Sequence, residues 1–134
     1  MTQEYLQECR REKLAMADME QRITELRHRI ENPRRSSLSL PRGGKQEEHA
    51  IDDMLHKLAE LEQQHDAMFF SLIDKQRTIE RAVWKLPDSL ERVVIGYRYV
   101  DGLKWDEISK LIDCSKNTTH VLHRNAIAGL ALQP

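Results

Sequence analysis

Aromatic side chains are scarce in this sequence: two Trp, three Tyr and two Phe, 5% of 134 residues. Aromatics supply the largest buried area per residue, so a thick single core is excluded. Two cysteines, Cys9 and Cys114, stand far apart. They make neither a disulfide framework nor a metal-spaced pair, which fits a reducing cytoplasm. No apolar run approaches the roughly 20 residues that a spanning helix needs, so no membrane partner is expected. The opening MTQEYLQECRREK is charged from its fourth residue, unlike a secretory signal. A surplus of one charge is missing too. Lys and Arg number 21 against 22 Asp and Glu, and the net charge is −1. Broad electrostatic attraction to nucleic acid is therefore weak. The residue constellations of catalysis are also lacking. There is no phosphate-cradling glycine loop, nucleophile elbow, H-E-x-x-H or C-x-x-C. Neither an enzyme, a cofactor nor a metal site is expected.

What remains is helix-forming material. Five Gly and four Pro leave few obligatory stops, and 32% of residues are charged. From Tyr5 to Ile30, apolar residues recur at alternating three- and four-residue steps: Tyr5, Cys9, Met16, Met19, Ile23, Leu26 and Ile30, with the polar Glu12 in register. Asn32-Pro33 ends this pattern. A second stripe runs through Ile51, Met54, Leu58, Leu61, His65, Met68, Leu72, Lys75, Ile79, Ala82 and Leu86. It predicts one helix of about 40 residues, some 60 Å long. Two striped helices must bury their stripes, either as an antiparallel hairpin within one chain or by pairing between chains. The polar stripe positions Glu12, His65 and Lys75 are candidates for fixing the register. Between the stripes, residues 32–46 read as a loop with four basic residues and no acid, Arg34, Arg35, Arg42 and Lys45. These are candidates for contact with a DNA backbone; the alternative is a solvated loop.

After Leu86 the texture changes to short segments, so the chain divides into a helical part, 1–86, and a second domain, 87–134. Asp88 and Glu91 have capping-box spacing, with Leu90, Val93, Val94 and Tyr97 as the inward face of a first short helix. Asp101-Gly102 makes a turn. A second helix holds Trp105, Ile108, Leu111 and Ile112 inward. Asp113-Cys114 turns the chain again, and Ser115 caps a third helix to about residue 130 on which Thr119, Leu122, Ala126 and Leu130 share a face. Trp84, Trp105, Tyr97 and Tyr99 read as packing residues, and Cys114 as a small filler.

Three short helices, the last two joined by a tight turn, follow the helix-turn-helix plan. Leu86, Pro87, Glu91, Tyr99, Asp101, Gly102, Glu107, Ile108, Ser115, Ala126 and Leu130 also fall where region 4 of the sigma-70 family has its characteristic residues. The last third of the chain resembles that region. Lys104 stands at the family's Ser/Thr cap, Ser109 at its small Ala and Asp113 at its turn Gly. The layout as a whole resembles small phage or prophage regulators of late transcription, of the ArpU and RinA types. It has no segment for the promoter-melting region of a complete sigma factor.

The expected fold is thus all-α: a coiled-coil-like helical hairpin followed by a three-helix, region 4-like domain. The resemblance implies a DNA-binding transcription regulator. Lys116, Asn117, His120 and Val121 would face bases, with Thr118 and Arg124 reaching phosphates or flanking bases. Double-stranded DNA is the implied partner, RNA polymerase a second, and the N-terminal helices would dimerise or dock. The opposing observation is charge: residues 87–134 hold six Lys/Arg and six Asp/Glu. It favours an alternative, an anti-sigma-like adaptor that binds RNA polymerase or a sigma factor without reading DNA.

Overall fold

The computed structural model describes residues 1–32 and 44–133, side chains of 44–47 excepted. It is helical throughout, with no strand among the described residues. Helix α1 spans Gln3–Glu31 and α2 Gly44–Val83. Three shorter helices follow: α3 Ser89–Ile95, α4 Trp105–Leu111 and α5 Lys116–Ala131. A π-helical turn, Gly96–Val100, extends α3. Helix α2 starts at Gly44, inside the span expected to be loop, because Lys45 to Glu48 are good helix formers.

Contacts divide the chain into two compact units: Met16–Phe69, and Met1–Ala15 together with Phe70–Pro134. In the first, Met16 and Ile23 are buried, and Met19, Leu26, Met54, Leu58 and Leu61 are half-buried, following the three-four stripe. Glu20 pairs with His65 at 3.0 Å and Arg27 with Glu62 at 2.9 Å. The higher-numbered residue of α1 thus meets the lower-numbered residue of α2, so these segments run antiparallel. The Glu20 contact holds the His65 imidazolium form above its ordinary range.

The second unit has the denser core. Leu6, Cys9, Leu72 and Ile79 come from the long helices, Leu86 from the segment after α2, and Val94, Ile95, Tyr99, Ile108, Ala126 and Leu130 from the short helices and the π turn. Lys75 reaches both Glu8, at 3.1 Å, and Glu12. Two of the three polar stripe positions therefore meet each other, with Lys75 only 20% exposed at its side chain. Hydrogen bonding to Glu12, and then to Glu8, raises Lys75 above its ordinary value. Burial, reinforced by Glu12, pushes the Cys9 thiol up to about 11, so it packs as a neutral group.

Three expectations about packing are corrected. Leu111, expected inward on the second short helix, is 59% exposed at the C-terminal end of α4. The inward face of the first short helix is Val94, Ile95 and Tyr99, while Leu90 and Val93 are 41% and 37% exposed and Tyr97 is half-buried. Val93-Val94-Ile95 offers apolar residues on adjacent faces, so periodicity alone leaves the face open. The π turn, closed by Asp101 N–H donating to the Gly96 carbonyl, then adds a residue to the turn and brings Tyr99 inward. Trp84 is 76% exposed and carries the Arg92 guanidinium 5.5 Å from its ring, so it is not core.

Replacing Lys75 alone with Ala leaves Glu8 and Glu12 side by side without their shared cation. A loss of about 1–2 kcal/mol in urea unfolding is expected, discounted for partial exposure. Lys75→Met with Glu12→Leu removes both charges and should recover most of it. Equal losses in the single and double variants would mean that the pairing does not matter.

Candidate nucleic-acid interface

The segment from α4 to α5 is shaped by its backbone. Lys104 stands at the N-cap of α4, and its side chain makes no capping bond. The helix ends at Ile112, and Asp113 then takes a left-handed conformation, φ 53°. Asp tolerates that region better than branched residues do. Gly102, in the preceding turn, is also left-handed, φ 76°. Ser115 caps α5: its Oγ accepts from Thr118 N–H at 3.1 Å and its hydroxyl donates to Thr118 Oγ1 at 2.9 Å.

A buried hydroxyl relay sets the two helices against each other. Ser109 Oγ donates to Thr119 Oγ1 at 3.0 Å, and Thr119 Oγ1 donates to the Ser115 carbonyl at 2.8 Å. Ser109 occupies the position where the resembled family carries Ala, and its extra hydroxyl is satisfied here. With Thr119, Ala126 and Leu130 buried on one face of α5, the opposite face is turned out. Lys116, Asn117, Thr118, His120, Val121 and Arg124 are all exposed, and they share this one surface. The face can donate through Lys116 and Arg124, both donate and accept through Asn117, and offer an apolar contact through Val121.

This face is not electrostatically free. Lys116 Nζ lies 2.7 Å from Asp106 Oδ1 at the start of α4. The Lys116 contact keeps the Asp106 carboxyl below its ordinary value. Behind the exposed row stands a ring cluster. Trp105, half-buried, has His120 at 4.8 Å and His123 edge-on at 4.7 Å between ring centroids, and the Arg98 guanidinium 4.5 Å from its own. The Tyr99 hydroxyl is 2.6 Å from His123 Nε2. Burial, and then the positive surroundings of His120 and Arg98, pushes His123 down to about 4. At neutral pH the ring is uncharged and can accept the tyrosine proton.

The remaining candidates are placed differently. Arg34, Arg35 and Arg42 lie outside the described residues, and Lys45 falls in α2 with its side chain outside them. Among the described residues no group of three His, Cys, Asp or Glu gathers as a metal site, and no helix is long and apolar enough to cross a membrane. Pattern reading missed one cluster. Arg10 and Arg11 of α1 line a cavity with Arg98, Tyr99, Trp105 and His123. No local signal could have joined residues that lie some ninety positions apart in sequence.

A family model described as "Protein of unknown function (DUF1492)" matches residues 30–131. Neither the curated proteins nor the solved structures yielded a match.

His123 generates a pH prediction. Its folded value lies below the ordinary imidazole value of 6.5. The unfolded chain therefore takes up its proton first as pH falls, and stability declines from about pH 6.5 towards about 4. His123→Gln keeps an acceptor for Tyr99 but does not titrate. Chemical unfolding across that window should show a shallower pH slope for this variant; parallel slopes would remove His123 as the source.

Proposed function

The chain belongs to the DUF1492 family. We propose, from the outward row on α5 and the resemblance of its last third to sigma-70 region 4, that it is a DNA-binding transcription regulator of the phage or prophage type. Helices α4 and α5 act as a helix-turn-helix of the sigma-70 region 4 kind, and α1 with α2 forms a helical hairpin used for self-association or docking. The observation that carries this reading is the outward row on α5. Lys116, Asn117, Thr118, His120, Val121 and Arg124 are exposed together at a helix whose other face is fixed by buried contacts. A recognition helix needs this arrangement, since it meets base edges with its first turns. Lys116 suits the O6 and N7 acceptors of guanine, Asn117 pairs with adenine, and Val121 fits against a thymine methyl.

The balance of charge limits how such a protein binds. Six basic and six acidic residues in 87–134 leave little counterion release to drive affinity. A lone domain would bind weakly, so a second copy or a polymerase-bound partner supplies the remainder. The Lys116–Asp106 pair works in the same direction, because a base or phosphate must compete with a carboxylate for the lysine. The protein is read as non-enzymatic and cytoplasmic.

A second reading is favoured by a different surface. Ile79, Val83, Trp84, Val93 and Val100 line an open groove of 350 Å³, with Trp84 76% exposed. An exposed aromatic beside an apolar groove is typical of protein docking. This supports an adaptor for RNA polymerase or a sigma factor that does not itself read DNA.

Gel shifts with late-promoter duplexes from the phage or prophage that carries the gene test the first reading. Lys116→Ala and Asn117→Ala should each weaken binding about tenfold or more. Asp106→Asn should tighten it several-fold by releasing Lys116 and removing a negative charge. Capture of RNA polymerase by a full-length protein that gives no shift on any promoter would sink this reading in favour of the second.

A further inference from the structure

The cavity found through Arg10 has features that reading α5 as a DNA-contacting helix leaves unused. It measures 390 Å³ and is lined by Gln3, Gln7, Arg10, Arg11, Arg98 and Tyr99, besides Trp105 and His123. No carboxylate lines it, and among the described residues none of the three arginines is in an ion pair. Like charges are brought together here without a counterion. Arg98 is pushed below its ordinary value by burial and then by Arg10. Juxtaposed cations in a partly desolvated place are unfavourable unless an anion joins them.

The guanidinium groups are also held in place. Arg98 lies against Trp105 and donates through Nη1 to the Leu103 carbonyl at 3.0 Å. Arg10 donates through Nη2 to the Gly102 carbonyl at 3.4 Å, while its Nε is buried with no hydrogen-bond partner. A buried N–H donor without an acceptor costs free energy, so the Arg10 guanidinium is under-satisfied where it stands. Each guanidinium carries five donors in a fixed fork, so carbonyl contacts leave donors to spare. That fork matches the oxygens of a phosphate, and three of them suit a phosphate better than a single carboxylate. The amides of Gln3 and Gln7 add neutral donors at the same wall.

We propose that the cavity bounded by Arg10, Arg11 and Arg98 is a phosphate-binding site, taking the phosphate group of a small ester or of a nucleic-acid backbone. Its volume lies within the range of small-ligand pockets, about 300–1,000 Å³. Arg11 is exposed, whereas Arg10 and Arg98 are half-buried and held by their bonds to the Gly102 and Leu103 carbonyls. The site does not depend on α5 reading bases, because its anchors come from α1 and the π turn.

The test uses the full chain carrying Trp84→Phe, which leaves Trp105, at the cavity, as the single indole of the sequence. Inorganic phosphate, acetate and chloride are titrated at matched ionic strength while Trp105 emission is followed. Phosphate should give a saturable change that acetate and chloride do not. Arg11→Gln and Arg10→Gln should each weaken phosphate binding about tenfold while thermal unfolding shows the variants folded. The sources are separated with duplex DNA. If phosphate displaces the duplex and both substitutions weaken the duplex too, the bound group is the DNA backbone. If DNA binding is absent or indifferent to both, the ligand is a free phosphate ester. Either outcome upholds the site. No phosphate-dependent change, an equal response to acetate, or a response that survives both substitutions overturns it. The phosphate titration contains no DNA, so its failure is distinct from failure of the regulator reading.

Discussion

Two hydroxyl groups, from Ser109 and Thr119, carry the geometry on which the functional reading rests. The Ser109 proton goes to Thr119, and the Thr119 proton goes to the Ser115 carbonyl, all between α4 and the first turn of α5. A buried hydroxyl is costly unless satisfied, so this relay has one low-energy arrangement. It fixes the rotation of α5 about its own axis. Rotating α5 to bury Lys116 or Asn117 would carry Thr119 away from Ser109 and strand the Ser109 hydroxyl, while the Thr119 bond to the Ser115 carbonyl is internal to α5 and turns with it. The exposed row is therefore a consequence of buried polar chemistry as much as of apolar burial at Ala126 and Leu130.

Around that relay the second unit is built from contacts distant in sequence. Arg10 donates to the Gly102 carbonyl and Gln76 to the Val100 carbonyl, at 3.4 and 3.1 Å. Each of these ties a long helix to the backbone on either side of the turn before α4. The turn itself needs Gly102, whose left-handed φ of 76° a branched side chain would resist. The start of α1 and the end of α2 are thus part of the frame that presents α4 and α5. The Lys75 pair with Glu8 and Glu12 holds those two segments in register.

The two surfaces described here differ in chemistry. The α5 face is exposed and polar, with one lysine already paired to Asp106. The arginine cavity is recessed and without acid. An exposed face suits discrimination by shape and hydrogen bonding. A recessed cationic cavity suits capture of a compact anion, because lower local dielectric strengthens each contact. Trp105 belongs to both, through His120 on one and Arg98 on the other.

The sequence by itself determined which segments are helical and most of their ends, though not the start of α2 at Gly44 or the π turn after α3. Apolar spacing of three and four marked α1 and α2, Asp88 and Ser115 announced their caps, and Gly102 and Asp113 marked the turns with positive φ. It also determined which residues of α5 could be outward, because the buried set Thr119, Ala126 and Leu130 repeats at helical steps. These signals are local, and local backbone chemistry acts the same way wherever the chain folds. Tertiary structure decided the rest. Which of Val93, Val94 and Ile95 faces inward, whether Trp84 is covered, and which acid answers Lys116 depend on neighbours that pattern does not specify. The meeting of Arg10 with Arg98, across 88 positions of chain, is of the same kind. Side-chain encounters between distant segments are set by how helices pack, and a one-dimensional period contains the face of each helix but not the partner that meets it.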